Sequence, residues 1–134
     1  MREPVFVTSW ADFQHQFQGD GPGSTALSLA VDGFFQNGGT QLYVVNLGQD
    51  AGTLSADDLA PLSAVEGISL IAAPGFTDAD SIEAILADCE SRNDRFAILD
   101  MAEGGAIADL GRTQAEGGLR PRNAARGVAA VYAP

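Results

Sequence analysis

The chain has 134 residues, and 18 acidic side chains against 7 basic ones give it a formal net charge of −11 at pH 7. All seven basic residues are arginine. This balance argues against a nucleic-acid binder or a protein held on anionic lipid, because both need clustered positive charge. The one cysteine, Cys89, excludes an internal disulfide and a cysteine-built zinc site. Because 46% of the residues are hydrophobic, we expect one folded domain over residues 1–134.

The N-terminal residues lead directly into a strand pattern and lack the long apolar run of a secretory signal peptide. The longest apolar stretches are well short of the roughly 20 residues that span a bilayer. We therefore expect a soluble protein with no secretion signal and no membrane insertion.

The first elements are a strand and a helix. Residues 4–8 are β-branched and aromatic, which predicts a strand. Ser9 is a good helix N-cap, and Asp12 follows three residues later, where a carboxylate faces free backbone N–H groups. The apolar residues of this helix share one face: Trp10, Phe13 and Phe17. Residues 19–23 are rich in glycine and predict a turn.

A second helix is predicted over residues 24–37, and the Asn-Gly-Gly sequence at 37–39 is typical of a left-handed stop. Its apolar stripe consists of Leu27, Ala30, Val31, Phe34 and Phe35. Residues 42–47 form a nearly continuous apolar run, which indicates a strand covered on both faces, as in parallel sheets.

A helix over residues 55–65 is expected to be short or bent because of Pro61. Residues 68–73 predict another buried strand. Thr77 is then the predicted cap of a helix that ends near Arg92, where a cation suits the helix dipole. The apolar positions of that helix are Ile82, Ile85, Leu86 and Cys89.

Residues 96–99 and 127–132 predict the last strands, and residues 104–118 are weakly helical. The alternation of strands and helices predicts an α/β fold: three layers, with a mainly parallel sheet and helices on both faces. The segment 111–126 is the best candidate for an exposed loop and contains four arginines: Arg112, Arg120, Arg122 and Arg126.

Acidic side chains follow the predicted strands, at the sheet edge where α/β proteins usually bind ligands. They could form a metal site: Asp78, Asp80, Asp100 and Glu103. Asp78 and Asp80 also flank Thr77 at a helix start, where carboxylates favour capping, and we prefer that interpretation. Asp100, at a strand end, is the more open candidate.

The sequence offers few candidate catalytic residues. His15 is the only histidine and lies between two glutamines, off the apolar helix face, so we expect it to be solvated. Cys89 lies on an apolar stripe and is interpreted as a core residue. The glycine-rich residues 19–24 lack the lysine of a P-loop, and no nucleophile-elbow motif occurs. We predict a protein that is not an enzyme, with no catalytic, cofactor or metal site.

Several segments in order resemble the core of the contractile tail sheath proteins of phages and phage-like injection systems. Residues 4–13, with Phe17-Gln18-Gly19 after them, resemble that family's opening PVLVTSWxxFxxxFG. Residues 29–39, followed by Tyr43-Val44-Val45, resemble its block LAxAVxGFFxNGGxxxYVVRV, with Asn46 where the arginine is usual. The remaining blocks are residues 69–75, 89–90, 94–100 and 129–134.

The resemblance implies a core of subtilisin-like topology in a structural subunit that stacks in rings around an inner tube and drives it on contraction. Its implied partners are other sheath subunits, in a homo-oligomer or helical assembly, and the inner tube and baseplate proteins. The implied location is a virion tail or a particle assembled in the cytoplasm.

Sheath proteins also carry terminal arms that add strands to neighbouring subunits. The chain lacks these arms, so we expect an excised core or a short relative. The sequence leaves two alternatives to a sheath subunit. One is a non-polymerising interaction module or adaptor that binds sheath or tail components. The other is a hydrolase of subtilisin-like topology, disfavoured because His15 has no plausible nucleophile.

Overall fold

The structure is a computed structural model that describes residues 2–18, 25–48, 52–118, 120 and 127–132. The chain divides into two compact units, Met1–Gln49 and Asp50–Pro134. The turn predicted at residues 19–23 lies outside the described residues. Within the described residues, no helix is long and apolar enough to cross a membrane.

The described residues of the first unit form two strands and two helices. In chain order they are β1 (Val5–Val7), α1 (Trp10–Phe13), which continues as a π-helical turn over Gln14–Gln18, α2 (Ala26–Gln36) and β2 (Leu42–Val44). β1 and β2 pair antiparallel, with Phe6 opposite Tyr43.

This pairing corrects the prediction for residues 42–47. We expected a strand of a parallel sheet covered on both faces, but β2 alternates between buried Val44 and exposed Tyr43. An antiparallel pair tolerates one solvated face, whereas a parallel strand is normally covered on both. The apolar run contains an exposed aromatic residue, Tyr43, between half-buried Leu42 and buried Val44, and periodicity alone does not reveal that exposure.

Local side-chain hydrogen bonds start both helices of this unit. The Ser9 hydroxyl accepts the Asp12 N–H (3.1 Å), and the Asp12 carboxylate accepts the Thr8 N–H (3.1 Å), which confirms Ser9 as the N-cap. In α2 the cap is Thr25, one residue later than the predicted start of the helix. Thr25 and Ser28 form a capping box, in which each side chain accepts the other's backbone N–H.

The predicted stop of α2 is confirmed. Gly38 adopts a φ of +89°, the left-handed conformation that favours glycine. The Gly39 N–H donates to the Phe34 carbonyl (2.9 Å) and the Gly38 N–H to the Phe35 carbonyl (3.2 Å). These two bonds define a Schellman motif. A side chain at Gly39 would overlap the Phe34 ring.

The core of the first unit contains Val7, Phe13, Val31 and Val44. The rings of Trp10 and Phe17 stack on Phe13 with centroids 5.3 and 5.2 Å away, which confirms the predicted aromatic face of the first helix. The stripe predicted for α2 is only partly right. Val31 is buried and Leu27 and Phe35 pack against the core, but Ala30 and Phe34 are exposed because the buried face of α2 is narrower than predicted.

The second unit contains the remaining strands. In chain order it has α3 (Ala56–Leu59), continued as a 3-10 turn over Ala60–Ala64, β3 (Leu70–Ala72), α4 (Ala79–Arg92), β4 (Phe96–Asp100) and β5 (Ala129–Tyr132). Pro61 lies in the 3-10 turn, as expected of a short or bent helix. Residues 104–118 form only short 3-10 turns, Ile107–Gly111 and Gln114–Glu116.

β3, β4 and β5 form a parallel sheet in that order. The prediction of a mixed α/β protein with a parallel sheet is therefore confirmed. The prediction that residues 68–73 are buried on both faces is wrong, because only Ile71 of β3 is buried while Leu70 is 59% exposed. α4 packs against β4.

The cap of α4 also differs from the prediction. Asp78, not Thr77, is the N-cap: its carboxylate accepts the Ser81 N–H (3.0 Å) and the Ser81 hydroxyl (2.6 Å). The predicted apolar stripe is buried throughout: Ile82, Ile85, Leu86 and Cys89. Arg92 lies in the last turn, as expected, and Asn93 ends the helix with a φ of +57°.

Candidate functional site

The two nucleophile or base candidates lie in different units of the chain. His15 is exposed on the π-helical turn. Cys89 is fully buried in α4. Burial, with the nearby negative charge of Asp88, raises the pKa of the Cys89 thiol to about 11, and the positive charge of Arg95 only partly opposes this. The thiol is therefore neutral near pH 7 and shielded from solvent.

The acidic candidates have separate roles. Partial burial acts to raise the pKa of Asp78, but the hydrogen bonds from the Ser81 side chain and backbone outweigh it and lower that pKa. Asp78 is thus an ionised helix cap, and Asp80 lies in the first turn of the same helix. Asp100 is exposed at the end of β4, and Glu103 is exposed three residues later. Among the described residues, no three His, Cys, Asp or Glu side chains are grouped to hold a metal ion, so these four carboxylates do not assemble a metal site.

A buried ion network joins the end of α4 to the start of β4. The Arg95 side chain is 1% exposed, and its Nη1 lies 3.3 Å from Asp88 Oδ2 while its Nε lies 3.0 Å from Asp94 Oδ1. Asp88 also pairs with Arg92, Nε to Oδ1 at 3.0 Å. Sequence reasoning missed this network. The only available signal was an arginine directly before a strand, with carboxylates one and seven residues earlier.

One face of the sheet of the second unit exposes large apolar side chains. Strand alternation places buried Ile71, Ala97 and Leu99 on the opposite face. The other face, which we name the open sheet face, carries Leu70, Ala72, Phe96, Ile98, Asp100, Ala130 and Tyr132. Ile98 and Ala130 are half-buried there, and Val131, on the opposite face, is 40% exposed. Leu70 and Tyr132 are 59% and 60% exposed, an unusual state for a parallel sheet.

The first unit has an exposed aromatic pair on its two-stranded sheet. The rings of Phe6 and Tyr43 lie opposite each other with centroids 5.0 Å apart, and each is more than 40% exposed. α2 adds exposed Leu29 and Phe34. Within the described residues, β1 and β2 pair only with each other, so each presents an edge open to a further strand. On β1, the Gln16 side-chain amide already donates to the Phe6 carbonyl (3.4 Å).

The arginine-bearing segment is only partly described. Arg112 and Arg120 are exposed, and Arg112 Nη1 lies 3.3 Å from Asp109 Oδ1. Arg122 and Arg126 lie outside the described residues.

No protein-family model matches the sequence. A search of curated proteins also gives no match.

Proposed function

We propose that this chain is a structural subunit of a contractile tail sheath, as the core domain or a reduced form of it. The observation that supports the proposal is order along the chain. Blocks of residues that resemble the sheath core follow one another in the family's sequence, and they coincide with the strands and helix ends of the two units.

The first blocks coincide with elements of the first unit. Residues 4–13 contain β1, the Ser9 cap and α1, and residues 29–39 contain most of α2 and its Schellman motif. The later blocks coincide with the parallel sheet: residues 69–75 contain β3, residues 94–100 contain β4, and residues 129–134 contain β5. A chance likeness confined to one strand would not reproduce this order.

The proposal also covers the topology of the sheet in the second unit. We place the sheet β3-β4-β5 in a three-layer sheath core of subtilisin-like topology, with helices on both faces. The parallel pairing and the packing of α4 against β4 are compatible with it.

The open edges of β1 and β2 support a role in assembly. Unpaired strand edges offer backbone N–H and C=O groups to an added strand, which is how sheath arms connect subunits. In this proposal the partners are other sheath subunits, the inner tube and the baseplate proteins. The assembly is a virion tail or a particle built in the cytoplasm.

The alternative is an adaptor that binds sheath or tail components without polymerising. The net charge of −11 favours it, because like subunits of this small size repel each other at low ionic strength.

Immunogold electron microscopy of tail particles from the source organism separates these two functions. Labelling along the whole length of the contractile tail is expected of a sheath subunit. Labelling at one end only supports the adaptor. Particles that carry no label, together with the chain recovered only in the unassembled fraction, contradict both functions. A control antibody against the inner tube, applied to contracted tails, checks that the particles are accessible.

A further inference from the structure

The C-terminal end of α2 carries the one Asn-Gly pair of the sequence, Asn37-Gly38. An asparagine followed by glycine is prone to deamidation, because glycine has no Cβ to hinder attack by its backbone nitrogen. In that reaction the Gly38 nitrogen loses its proton and bonds to Cγ of Asn37, and the side-chain nitrogen leaves with that proton as ammonia. Water then opens the five-membered succinimide ring to aspartate or isoaspartate. The reaction therefore needs only water.

Asn37 is exposed to solvent, but both reacting groups are held in hydrogen bonds. The Asn37 side-chain amide donates to the Gly33 carbonyl, one helical turn back, at 2.7 Å. The Gly38 N–H donates to the Phe35 carbonyl at 3.2 Å, as part of the Schellman motif. The Gly38 nitrogen must leave its partner before it loses a proton, and the Asn37 side chain must leave Gly33 before its Cγ can turn to that nitrogen. The closed turn therefore opposes the reaction although solvent reaches it.

The product of deamidation does not fit the closed turn. An aspartate at position 37 has no N–H to donate to the Gly33 carbonyl, and its carboxylate would face that carbonyl oxygen. Its negative charge would lie at the C-terminal end of α2, where the helix dipole is already negative. Isoaspartate also lengthens the main chain by one methylene, which shifts the N–H groups of Gly38 and Gly39 away from their carbonyl partners. Either product therefore destabilises the end of the helix.

We propose that Asn37 is a deamidation site gated by the last turn of α2. The closed turn protects the side chain, each opening of the turn allows the reaction, and the product keeps the turn from closing as before. Helix ends open more readily than a whole domain unfolds, so the rate in the folded chain is the rate in the unfolded chain multiplied by the open fraction. The proposal rests on the first unit alone and is independent of the sheath function.

The test follows deamidation of the full chain by mass spectrometry. The chain is incubated at mildly alkaline pH, once in native buffer and once in urea, and peptide mapping detects the gain of about 1 Da at Asn37. We expect the rate in native buffer to be at least about tenfold lower than the rate in urea. Asn46 is the internal reference: it is followed by Leu47, whose side chain hinders the attack, so it should change little in either solution.

Two variants open the turn without changing the Asn-Gly pair. Gly39→Pro removes the N–H that donates to the Phe34 carbonyl (2.9 Å), and Phe35→Ala removes packing of the last turn on the core. Each should raise the native rate by about threefold or more and leave the rate in urea unchanged. The matched control is Leu29→Ala, which truncates a side chain of the same helix that is 63% exposed and should alter neither rate. Circular dichroism checks that each variant remains folded.

A further variant isolates the effect of the product. Asn37→Asp should lower the midpoint of thermal unfolding, because it loses the hydrogen bond to Gly33 and adds charge at the helix end. The matched control is Asn46→Asp, which makes the same change of charge in the same unit. The Asn46 side chain acts as an acceptor, for the Gly48 N–H at 2.9 Å, and aspartate retains that role. Asn46→Asp should therefore change the midpoint much less.

Three outcomes overturn the proposal. The first is deamidation of Asn37 at the same rate in native buffer and in urea, or in neither. The second is an unchanged native rate in both Gly39→Pro and Phe35→Ala. The third is an Asn37→Asp chain that melts at the same temperature as the parent, because the product would then fit the closed turn.

Discussion

Phe34 and Phe35 are adjacent on α2, and their rings lie in different surroundings. Phe35 packs against the core of the first unit, whereas Phe34 is 40% exposed and lies over Gly39. We expect Phe35→Ala to lower the free energy of unfolding by about 2–3 kcal/mol and Phe34→Ala by about 1 kcal/mol or less. Phe13→Ala, at a fully buried ring, is the reference for a full loss of about 3–5 kcal/mol. Urea denaturation measures all three, and equal losses for Phe34 and Phe35 would contradict the placement of α2.

The Cys89 thiol should be protected from alkylation in the native state. Its raised pKa should also make the free energy of unfolding fall at alkaline pH. The pKa of this thiol is about 11 in the folded chain, against an ordinary value of 9.0. Between these two pH values the unfolded chain releases a proton that the folded chain retains, so the free energy of unfolding falls as pH rises through this window.

Two measurements check this prediction. An alkylating reagent should modify Cys89 only after denaturation. Urea denaturation at about pH 8 and about pH 10 should show a smaller loss of stability in Cys89→Ala than in the parent chain. A thiol that reacts at full rate in the native protein would be the contrary result.

At the scale of elements, two glycines of the first unit should respond in opposite directions to alanine. Gly38 has a φ of +89° at the end of α2, where a Cβ is strained, so Gly38→Ala should destabilise by about 1 kcal/mol. Gly33 lies inside the same helix with nothing within 4 Å of an added Cβ, so Gly33→Ala should stabilise by about 0.5–1 kcal/mol. Thermal melts of the two variants give the sign directly. A stabilising Gly38→Ala would show that the Schellman motif is wrong.

The buried ion network ties α4 to β4. Removing the Arg95 side chain leaves Asp88 partly buried with Arg92 as its remaining cation. We expect Arg95→Ala to lower the free energy of unfolding by about 3 kcal/mol, since breaking a buried pair from one side is costly. The matched control is Arg112→Ala, which removes an exposed ion pair and should change stability by less than about 0.5 kcal/mol. Similar small effects for both variants would show that Arg95 is not buried in solution.

At the scale of the whole molecule, net charge should control association. A charge of −11 makes like chains repel, so we expect a monomer or small oligomer in dilute buffer, with association increasing as salt screens the charges. The Debye length falls to about 8 Å at physiological ionic strength, which is short compared with a domain. Sedimentation velocity over a series of salt concentrations measures this dependence.

A contact made by the arginine-bearing segment would make association depend on salt in the opposite direction. If exposed Arg112 and Arg120 contact an acidic face of a neighbour, added salt weakens that contact. Loss of oligomers with salt would therefore favour this contact, and growth with salt would favour screening of general repulsion. Long tubes formed at low salt by this chain alone would contradict the prediction from charge.

Features that depend on neighbours along the chain could be predicted from the sequence. The Ser9 cap, the left-handed stop at Gly38, the bend at Pro61 and the buried stripe of α4 all rest on residues at most a few positions apart. Backbone conformation and helix periodicity are set over that distance, so these predictions were confirmed. The parallel pairing of β3 with β4 also followed from the alternation of strands with a connecting helix, here α4.

Tertiary structure decided which faces are covered and which strands pair. The antiparallel pairing of β1 with β2, the burial of Arg95 and the exposure of Leu70, Phe34 and Tyr132 all depend on residues far apart in the chain or on elements that cover a face. An apolar side chain has the same local signature whether or not something packs on it, and a charged one is buried only when its partners converge. The exposure of the open sheet face could therefore be found only from strand register and burial, because hydrophobicity along a strand does not record whether another element covers it.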